Sequence, residues 1–292
     1  MLEVRDLCKY YKKNKVVSDV SFLVDAGDIV GYIGPNGAGK TTTLKMICNL
    51  AKKDKGTVLL EEKKRIGVIF DENGLYMNMT AYENVLFFVK LYSVNVNKED
   101  IERILCFVGL DTVMDCIIKG FSKGMLRRLV IARILICNPD VLIMDEPFDG
   151  VDIESQCTII DFLRNWVKTE QKSIIITSHN MKEIQNFCTK IIFLNNGRVI
   201  LNGETRDIIQ AHFKGLRIRL LYKENINQVI ELMSQITTKC EILEDSVLFY
   251  VEENKCQEII NIVLENQIAF REVIEESMTL EEIYMSEVVN HE

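Results

Sequence analysis

The pattern of hydrophobic and polar residues along the chain predicts alternating strands and helices. Three short runs are almost continuously apolar, at 28–33, 141–144 and 173–177. Such runs are typical of parallel strands that are buried on both faces. Segments 80–94 and 98–108 instead repeat apolar residues at a spacing near 3.6, which indicates helices. The alternation predicts an α/β fold built around a buried sheet.

Weaker patterns extend this alternation toward both ends of the chain. Residues 2–24 alternate apolar and polar positions in two runs around a lysine-rich turn, which predicts an antiparallel hairpin. Residues 190–201 predict a second hairpin. The strand-like and helix-like segments that follow predict a small α+β module. We therefore expect two domains, 1–210 and 211–292, with a mostly helical subdomain at about 75–135 in the first.

Composition and charge narrow the class of protein. The 292 residues are 48% hydrophobic and 27% charged, which is typical of a globular protein with a sizeable core. The net charge of −8 disfavours nucleic acid as a partner. No apolar run approaches the ~20 residues that span a bilayer, and the first residues lack the apolar core of a signal peptide. A cytoplasmic protein is expected.

The nine cysteines do not predict a disulfide framework. Their number is odd, and no C-x-x-C pair occurs. Most of them, including Cys48, Cys106, Cys137 and Cys188, lie in apolar periodic segments. We expect buried, reduced thiols.

The strongest candidate for chemistry is segment 34–42, GPNGAGKTT, which fits the phosphate-loop pattern G-x-x-x-x-G-K-[ST]. It lies between a predicted buried strand and a predicted helix, as the motif requires. Its glycines allow successive N–H groups to point at a polyphosphate, and the helix N-terminus adds partial positive charge. Lys40 would reach the β- and γ-phosphates, and the Thr41 hydroxyl would ligate Mg²⁺. The predicted phosphate-binding residues are Gly34, Pro35, Asn36, Gly37, Ala38, Gly39, Lys40, Thr41 and Thr42.

Acidic and histidine side chains follow the two other buried strands. Asp145 and Glu146 come directly after the run at 141–144, and His179 closely follows the run at 173–177. Ligands collect at the carboxyl ends of parallel strands. An acid there, beside a phosphate loop, is the Walker B arrangement: Asp145 would hold Mg²⁺ through water, and Glu146 would polarise the attacking water. His179 could reach the γ-phosphate and the same water.

Two further features allow more than one interpretation. Tyr11 could stack on an adenine base or be an ordinary tyrosine at a strand edge. Ser122 and Gly124 begin a basic helix, where a hydroxyl, free N–H groups and the helix dipole converge. By itself this is an ordinary helix N-cap.

In their order along the chain, these motifs resemble the nucleotide-binding subunit of ABC transporters over roughly residues 1–207. GPNGAGKTT matches Walker A, FSKGM at 121–125 stands where the LSGGQ signature belongs, and VLIMDEP at 141–147 matches Walker B. Residues 148–152 stand at the D-loop, and His179 corresponds to the switch histidine. The resemblance implies a P-loop NTPase cassette with a mixed sheet core, an antiparallel β subdomain and a helical subdomain.

The resemblance also implies ligands and partners. ATP and Mg²⁺ would be bound in a head-to-tail homodimer, in which Ser122 and Gly124 contact the γ-phosphate held by the partner chain. Asp152 of the D-loop would contribute to nucleotide binding, and the family spacing makes Tyr11 the candidate for the adenine. A separate polytopic membrane permease would hold the subunit at the inner face of the cell membrane.

Two departures from the family pattern affect the expected activity. Asp71 stands where the family has a glutamine that contacts Mg²⁺ or water, and a carboxylate can also serve a hard cation. The signature has Phe121, Lys123 and Met125 in place of Leu, Gly and Gln. Lys123 would either add positive charge near a phosphate or lie in solvent.

The predicted function is that of an ATPase subunit that powers export of an unknown substrate through the permease. Antimicrobial peptides, drugs, lipids, ions and polysaccharides all remain candidate substrates. The alternative is a regulatory switch outside transport, with slow or no hydrolysis, whose ATP-driven closure is read by a soluble partner. The C-terminal module is expected to serve dimerisation or stability, with binding of a regulator as the alternative.

Overall fold

The computed structural model describes residues 1–70, 74–178, 180–220, 225–234, 236–237, 239–243, 246–251 and 255–290. These residues form two compact units, Met1–Glu204 and Thr205–Asn290. The strands of the first unit are β1 (Leu2–Tyr11), β2 (Asn14–Val24), β3 (Ile29–Ile33), β4 (Lys55–Leu60), β5 (Ile66–Ile69), β6 (Val141–Asp145), β7 (Ser173–Thr177), β8 (Lys190–Asn195) and β9 (Arg198–Glu204). Its α-helices are α1 (Lys40–Ile47), α2 (Ala81–Leu91), α3 (Lys98–Phe107), α4 (Lys123–Leu135), α5 (Ile153–Glu170) and α6 (Met181–Phe187).

The centre of the first unit is a six-stranded sheet in the order β5-β6-β7-β3-β8-β9. Its strands are parallel except β9, which pairs antiparallel with β8. Every residue of β3, β6 and β7 is buried. The predicted buried strands are therefore confirmed. Their carboxyl ends lie at one edge of the sheet, where the candidate site residues collect.

The N-terminal residues form a separate antiparallel sheet in the order β2-β1-β4. The predicted hairpin is confirmed, but its first strand runs to Tyr11, well past the short apolar run at its start. The pairing of β1 with β2 shifts register three times between Val4 and Tyr10, and Asp6 has a φ of 48°. These irregularities break the two-residue alternation by which a long strand is recognised in sequence.

A helical cluster formed by α2, α3 and α4 confirms the predicted helical subdomain. Thr80 and Glu83 make the predicted capping box. The Thr80 nitrogen donates to the Glu83 carboxylate at 2.8 Å, and the Glu83 nitrogen donates to the Thr80 hydroxyl oxygen at 3.1 Å. Val85, Leu105 and Leu129 are fully buried in the core of the cluster.

The second unit is a four-stranded antiparallel sheet with helices, which confirms the predicted α+β module. Leu216, Ile218, Val229 and Ile259 belong to its own hydrophobic core. The assignment of 211–292 as an accessory domain stays a prediction. The elements are α7 (Thr205–Ala211), β10 (Phe213–Leu220), α8 (Ile226–Met233), β11 (Cys240–Ile242), β12 (Ser246–Tyr250), α9 (Cys256–Glu265), β13 (Phe270–Ser277) and α10 (Leu280–Asn290).

The cysteines are all free, as predicted, but they are not all buried. Cys106 is exposed, so the expectation that it is buried was wrong. It lies in α3, whose buried face is formed by Ile101 and Leu105, and it is on the side of the helix that faces solvent. Burial raises the pKa of Cys48 to about 12, which keeps this thiol protonated at neutral pH.

Within the described ranges, no helix has both the length and the apolar character needed to cross a membrane.

Candidate nucleotide-binding site

The phosphate-loop segment connects the buried strand β3 to α1 and surrounds a pocket of about 190 Å³. Gly39 has a φ of 99°, and a Cβ there would lie 2.7 Å from the carbonyl oxygen of Val16. A Cβ on Gly34 would lie 2.3 Å from the carbonyl oxygen of Leu194. Only glycine fits these positions without a shift of the backbone. The pocket is lined by Val16, Pro35, Asn36, Gly37, Gly39, Lys40, Thr41 and Thr42.

Lys40 is the first residue of α1 and is partly buried beside this pocket. Its Nζ donates hydrogen bonds to the carbonyl oxygens of Gly34 at 2.7 Å and Pro35 at 3.3 Å. Among the side chains that the structure describes, no carboxylate hydrogen-bonds to it. Burial lowers the pKa of Lys40, while the charges of Glu146 and Asp145 raise it. An ammonium held only by neutral oxygens is suited to receive an anion.

Asp145 ends β6 and is 9% exposed. The Thr41 hydroxyl donates to its Oδ2 at 2.7 Å, and the Thr177 hydroxyl donates to its Oδ1 at 2.5 Å. Thr177 lies directly opposite Asp145 in the parallel pairing of β6 and β7. The carboxylate therefore joins the beginning of α1 to the ends of two strands.

Glu146 follows in a left-handed conformation, with a φ of 48°. This conformation costs a residue other than glycine about 1–3 kcal/mol and persists only where surrounding contacts impose it. Its main-chain nitrogen donates to the carbonyl oxygen of Thr177 at 3.2 Å and to the Thr177 hydroxyl at 3.1 Å. Such strain is typical of functional sites.

Few side chains at this site could serve as ligands to a cation. The described part of the chain contains no group of three or more His, Cys, Asp or Glu side chains that could hold a metal ion. Mg²⁺ needs no such group, because it keeps several waters and is commonly held by one or two carboxylates and the phosphates of a substrate. The Thr41 hydroxyl and the Asp145 carboxylate fit that kind of site.

The predicted signature segment begins α4 and packs against the predicted D-loop of the same chain. The Ser122 hydroxyl caps α4 by accepting a hydrogen bond from the nitrogen of Met125 at 3.2 Å. A Cβ on Gly124 would lie 2.5 Å from the carbonyl oxygen of Gly150. Lys123 forms an ion pair of 2.6 Å with Asp149, which is neither of the two placements predicted for this side chain.

Asp152 caps the beginning of α5, as Ser122 caps the beginning of α4. Its side chain accepts a hydrogen bond from the nitrogen of Ser155 at 2.9 Å, and this bond lowers the pKa of Asp152. Glu146, Asp149 and Gly150 line a second cavity of about 180 Å³ together with residues 178, 180 and 183.

Some predicted site residues are not brought to the pocket. Tyr11 is 52% exposed and does not line it, whereas Val16 of the same hairpin does. Asp71 and His179 lie outside the described residues. Sequence reasoning missed Thr177 and Arg127, which contact residues 145–147, hereafter the acidic segment. The sequence signal that could have identified Thr177 is its place at the end of a buried strand, two positions before His179. For Arg127, the sequence offers no signal beyond its place in a basic helix.

A phosphate loop between β3 and α1, joined to an acid at the end of a parallel strand, defines a P-loop nucleotide-binding protein. Residues 17–149 match the ABC transporter family model. NatA of Bacillus subtilis, an ABC transporter ATP-binding protein, is 40% identical over 210 residues, covering 68% of this chain and 85% of NatA. The chain therefore belongs to the family of ABC transporter ATP-binding subunits.

Other relatives and solved structures agree with this assignment. The Nod factor export ATP-binding protein I of Ralstonia nicotianae is 31% identical over 265 residues, covering 87% of this chain and 82% of that protein. The linearmycin resistance ATP-binding protein LnrL of Bacillus subtilis is 34% identical over 220 residues, covering 71% of this chain and 70% of LnrL.

Two solved structures resemble the chain in fold. One is the ATP-binding subunit of an ABC transporter, with a TM-score of 0.66 and 28% identity, covering 72% of this chain and 92% of that one. The other is a dimeric ATP-binding cassette in a post-hydrolysis state with ADP and Pi, with a TM-score of 0.64 and 25% identity, covering 70% and 99%. The predicted fold class is confirmed.

Replacing Thr177 by Val is expected to lower the free energy of unfolding by about 1–3 kcal/mol, because the buried Asp145 loses a hydroxyl donor. The measurement is urea unfolding followed by fluorescence of the single tryptophan, Trp166, which lies in the same compact unit. Thr158→Val is the matched control, since that exposed hydroxyl donates within its own helix, to the carbonyl oxygen of Glu154 at 3.0 Å. Equal effects of the two substitutions would contradict the assigned role of Thr177.

Proposed function

We propose that this chain is the ATP-hydrolysing subunit of an ABC exporter that moves its substrate through a separate membrane permease. The observation that carries the proposal is the hydrogen bond of 2.7 Å between Thr41 and Asp145, which lie 104 positions apart in the chain. It joins the phosphate loop to the acidic segment. A hydroxyl and a partly buried lysine that line the pocket, with a carboxylate hydrogen-bonded to that hydroxyl, match the needs of a nucleotide bound with Mg²⁺.

The phosphates would be bound by the main-chain N–H groups of the loop and by Lys40. For this, Lys40 would exchange its two carbonyl partners for phosphate oxygens, an exchange that charge favours. Thr41 and Asp145 would hold Mg²⁺, directly or through water. Bound there, the cation would neutralise charge on the β- and γ-phosphates.

Glu146 is proposed to polarise the attacking water and accept its proton. Lys40 would stabilise the charge of the transferred phosphoryl group. A role for His179 beside the γ-phosphate rests on its place after the buried run at 173–177 and on the family resemblance, and a role for Asp71 near the cation rests on the resemblance.

A head-to-tail homodimer would complete each site. In it, Ser122 and Gly124 would contact the γ-phosphate bound by the partner chain, and Asp152 would lie near the same interface. The capped beginning of α4 supports this, because its free N–H groups and dipole favour a negative charge. Tyr11, which is exposed, would contact the adenine.

Export is proposed from the relatives, whose names refer to Nod factor export and linearmycin resistance. A permease supplied by another polypeptide would hold the subunit at the cytoplasmic face of the membrane. Drugs and antimicrobial peptides are among the candidate substrates.

Lys40→Ala and Glu146→Gln are each expected to lower Mg-ATPase turnover about 100-fold or more, since one removes a phosphate ligand and the other a general base. Glu146→Gln should still bind ATP. Turnover is measured by phosphate release, with Lys45→Ala and Glu154→Gln as controls. Lys45 is an exposed residue later in α1, and Glu154 is exposed in the first turn of α5. Unchanged turnover in both test variants would overturn the catalytic assignment.

Glu146→Gln is also expected to shift from monomer to dimer on addition of Mg-ATP, as measured by light scattering. The matched control adds Ser122→Asp, because Asp keeps the helix N-cap but places a negative charge against the partner's phosphate. The double variant should bind ATP and stay monomeric. A monomeric single variant with bound ATP, or a dimer in both, would contradict the head-to-tail site.

Co-expression tests the transport step. We expect a protein with about six hydrophobic spans to be encoded beside this gene and to co-purify with the chain in detergent. Its presence should increase ATPase turnover in the wild type but not in Lys40→Ala. A soluble neighbour that binds only the ATP-loaded chain would instead favour the regulatory switch.

A further inference from the structure

Arg127 is a buried arginine in α4, 5% exposed. Its guanidinium group donates to main-chain carbonyl oxygens of three consecutive residues. The distances are 2.8 Å from Nη2 to Asp145, 2.5 Å from Nη2 to Glu146 and 2.8 Å from Nε to Pro147. Nη1 donates to the carbonyl oxygen of Phe70 at 3.1 Å. One side chain from the signature helix thus holds the main chain of the acidic segment.

The strained residue Glu146 is held at both ends of its backbone. Thr177 accepts hydrogen bonds from the Glu146 nitrogen, and Arg127 donates to the Glu146 carbonyl oxygen. The two ends of this residue's backbone are therefore fixed by different elements, β7 and α4. This accounts for the left-handed conformation at position 146, since a φ of 48° needs external support in a residue with a side chain.

The chemistry of arginine suits this arrangement. Its planar group offers five donors in a fixed geometry, so it can serve several carbonyl oxygens at once. Lysine has a point charge on a flexible stem and would not hold the same oxygens in fixed positions. A buried cation is costly unless its donors are satisfied, so the guanidinium and the acidic segment constrain each other.

We propose that Arg127 is a positioning residue for ATP hydrolysis: it holds the backbone of Glu146 in the conformation that directs the carboxylate to its water. This inference rests on the proposed function. Without Arg127, Glu146 would relax toward an ordinary backbone conformation, and its carboxylate would move away from the reacting atoms. A displacement of about 1 Å in a catalytic group can lower the rate about 100-fold.

The first experiment compares kcat and KM for Mg-ATP in the wild type, Arg127→Lys and Arg127→Gln. Both variants should lower kcat by about 10- to 100-fold and change KM by less than about threefold, because phosphate binding by Lys40 and the loop is untouched. The lysine variant keeps the positive charge, so it provides the test if the glutamine variant does not fold.

Arg133→Gln is the matched control. Arg133 is also a buried arginine of α4, 6% exposed, and it donates to a main-chain carbonyl oxygen, that of Gly74, at 2.8 Å. It makes no contact with Glu146 in the described structure. Its loss should lower thermal stability by an amount similar to that of Arg127→Gln but leave kcat within about threefold of the wild type.

A double-mutant cycle separates positioning from general stability. In the Glu146→Gln background, Arg127→Lys should cause no further loss of the residual turnover, because Arg127 acts through the carboxylate already removed. The inference is wrong if the losses of turnover from Arg127→Lys and Glu146→Gln multiply. It is also wrong if Arg127→Lys raises KM without lowering kcat, or if Arg133→Gln lowers kcat as much as Arg127→Gln does. Failure of the proposed function is seen separately, as a wild-type chain without ATPase activity or a Glu146→Gln variant with normal turnover.

Discussion

The buried carboxylate of Asp145, which accepts a hydrogen bond from a threonine on either side, is the interaction on which the rest of the site depends. A carboxylate that is 9% exposed is stable only if it is hydrogen-bonded. Thr41 and Thr177 provide those bonds and leave lone pairs free for a cation. They also fix three elements against one another: the beginning of α1 and the ends of β6 and β7. The phosphate loop, the acidic segment and the segment before His179 consequently meet at one edge of the sheet.

Much of this arrangement could be predicted from sequence, because local patterns encode it. The continuous apolar runs of β3, β6 and β7 require burial on both faces, which only a parallel sheet inside the protein supplies. The phosphate loop has fixed residues at fixed spacing, and the capping box of α2 depends on two residues three positions apart. Each of these signals lies within a few neighbouring positions.

The features that sequence reasoning missed depend on register between distant segments. Thr177 serves Asp145 because β6 and β7 pair so that these residues lie opposite each other, and no local pattern fixes that pairing. Arg127 looks like one of several arginines in a basic helix until its acceptors at 145–147 are known. Val16 of β2 lines the pocket and Tyr11 of β1 does not, and the pairing of these two strands has register shifts that no local pattern predicts.

Helix α4 connects two kinds of site in the proposed dimer. Its first residues would contact a nucleotide held by the partner, while Arg127, farther along the same helix, holds the acidic segment of its own chain. The ion pair between Lys123 and Asp149 adds a second link, but both side chains are more than half exposed, so the pair contributes little net stability. A phosphate near the signature would therefore compete with Asp149 for Lys123 at little cost. In the proposed dimer, a phosphate of the partner's nucleotide would therefore be able to draw Lys123 away from Asp149, which is one of the two placements predicted for this side chain.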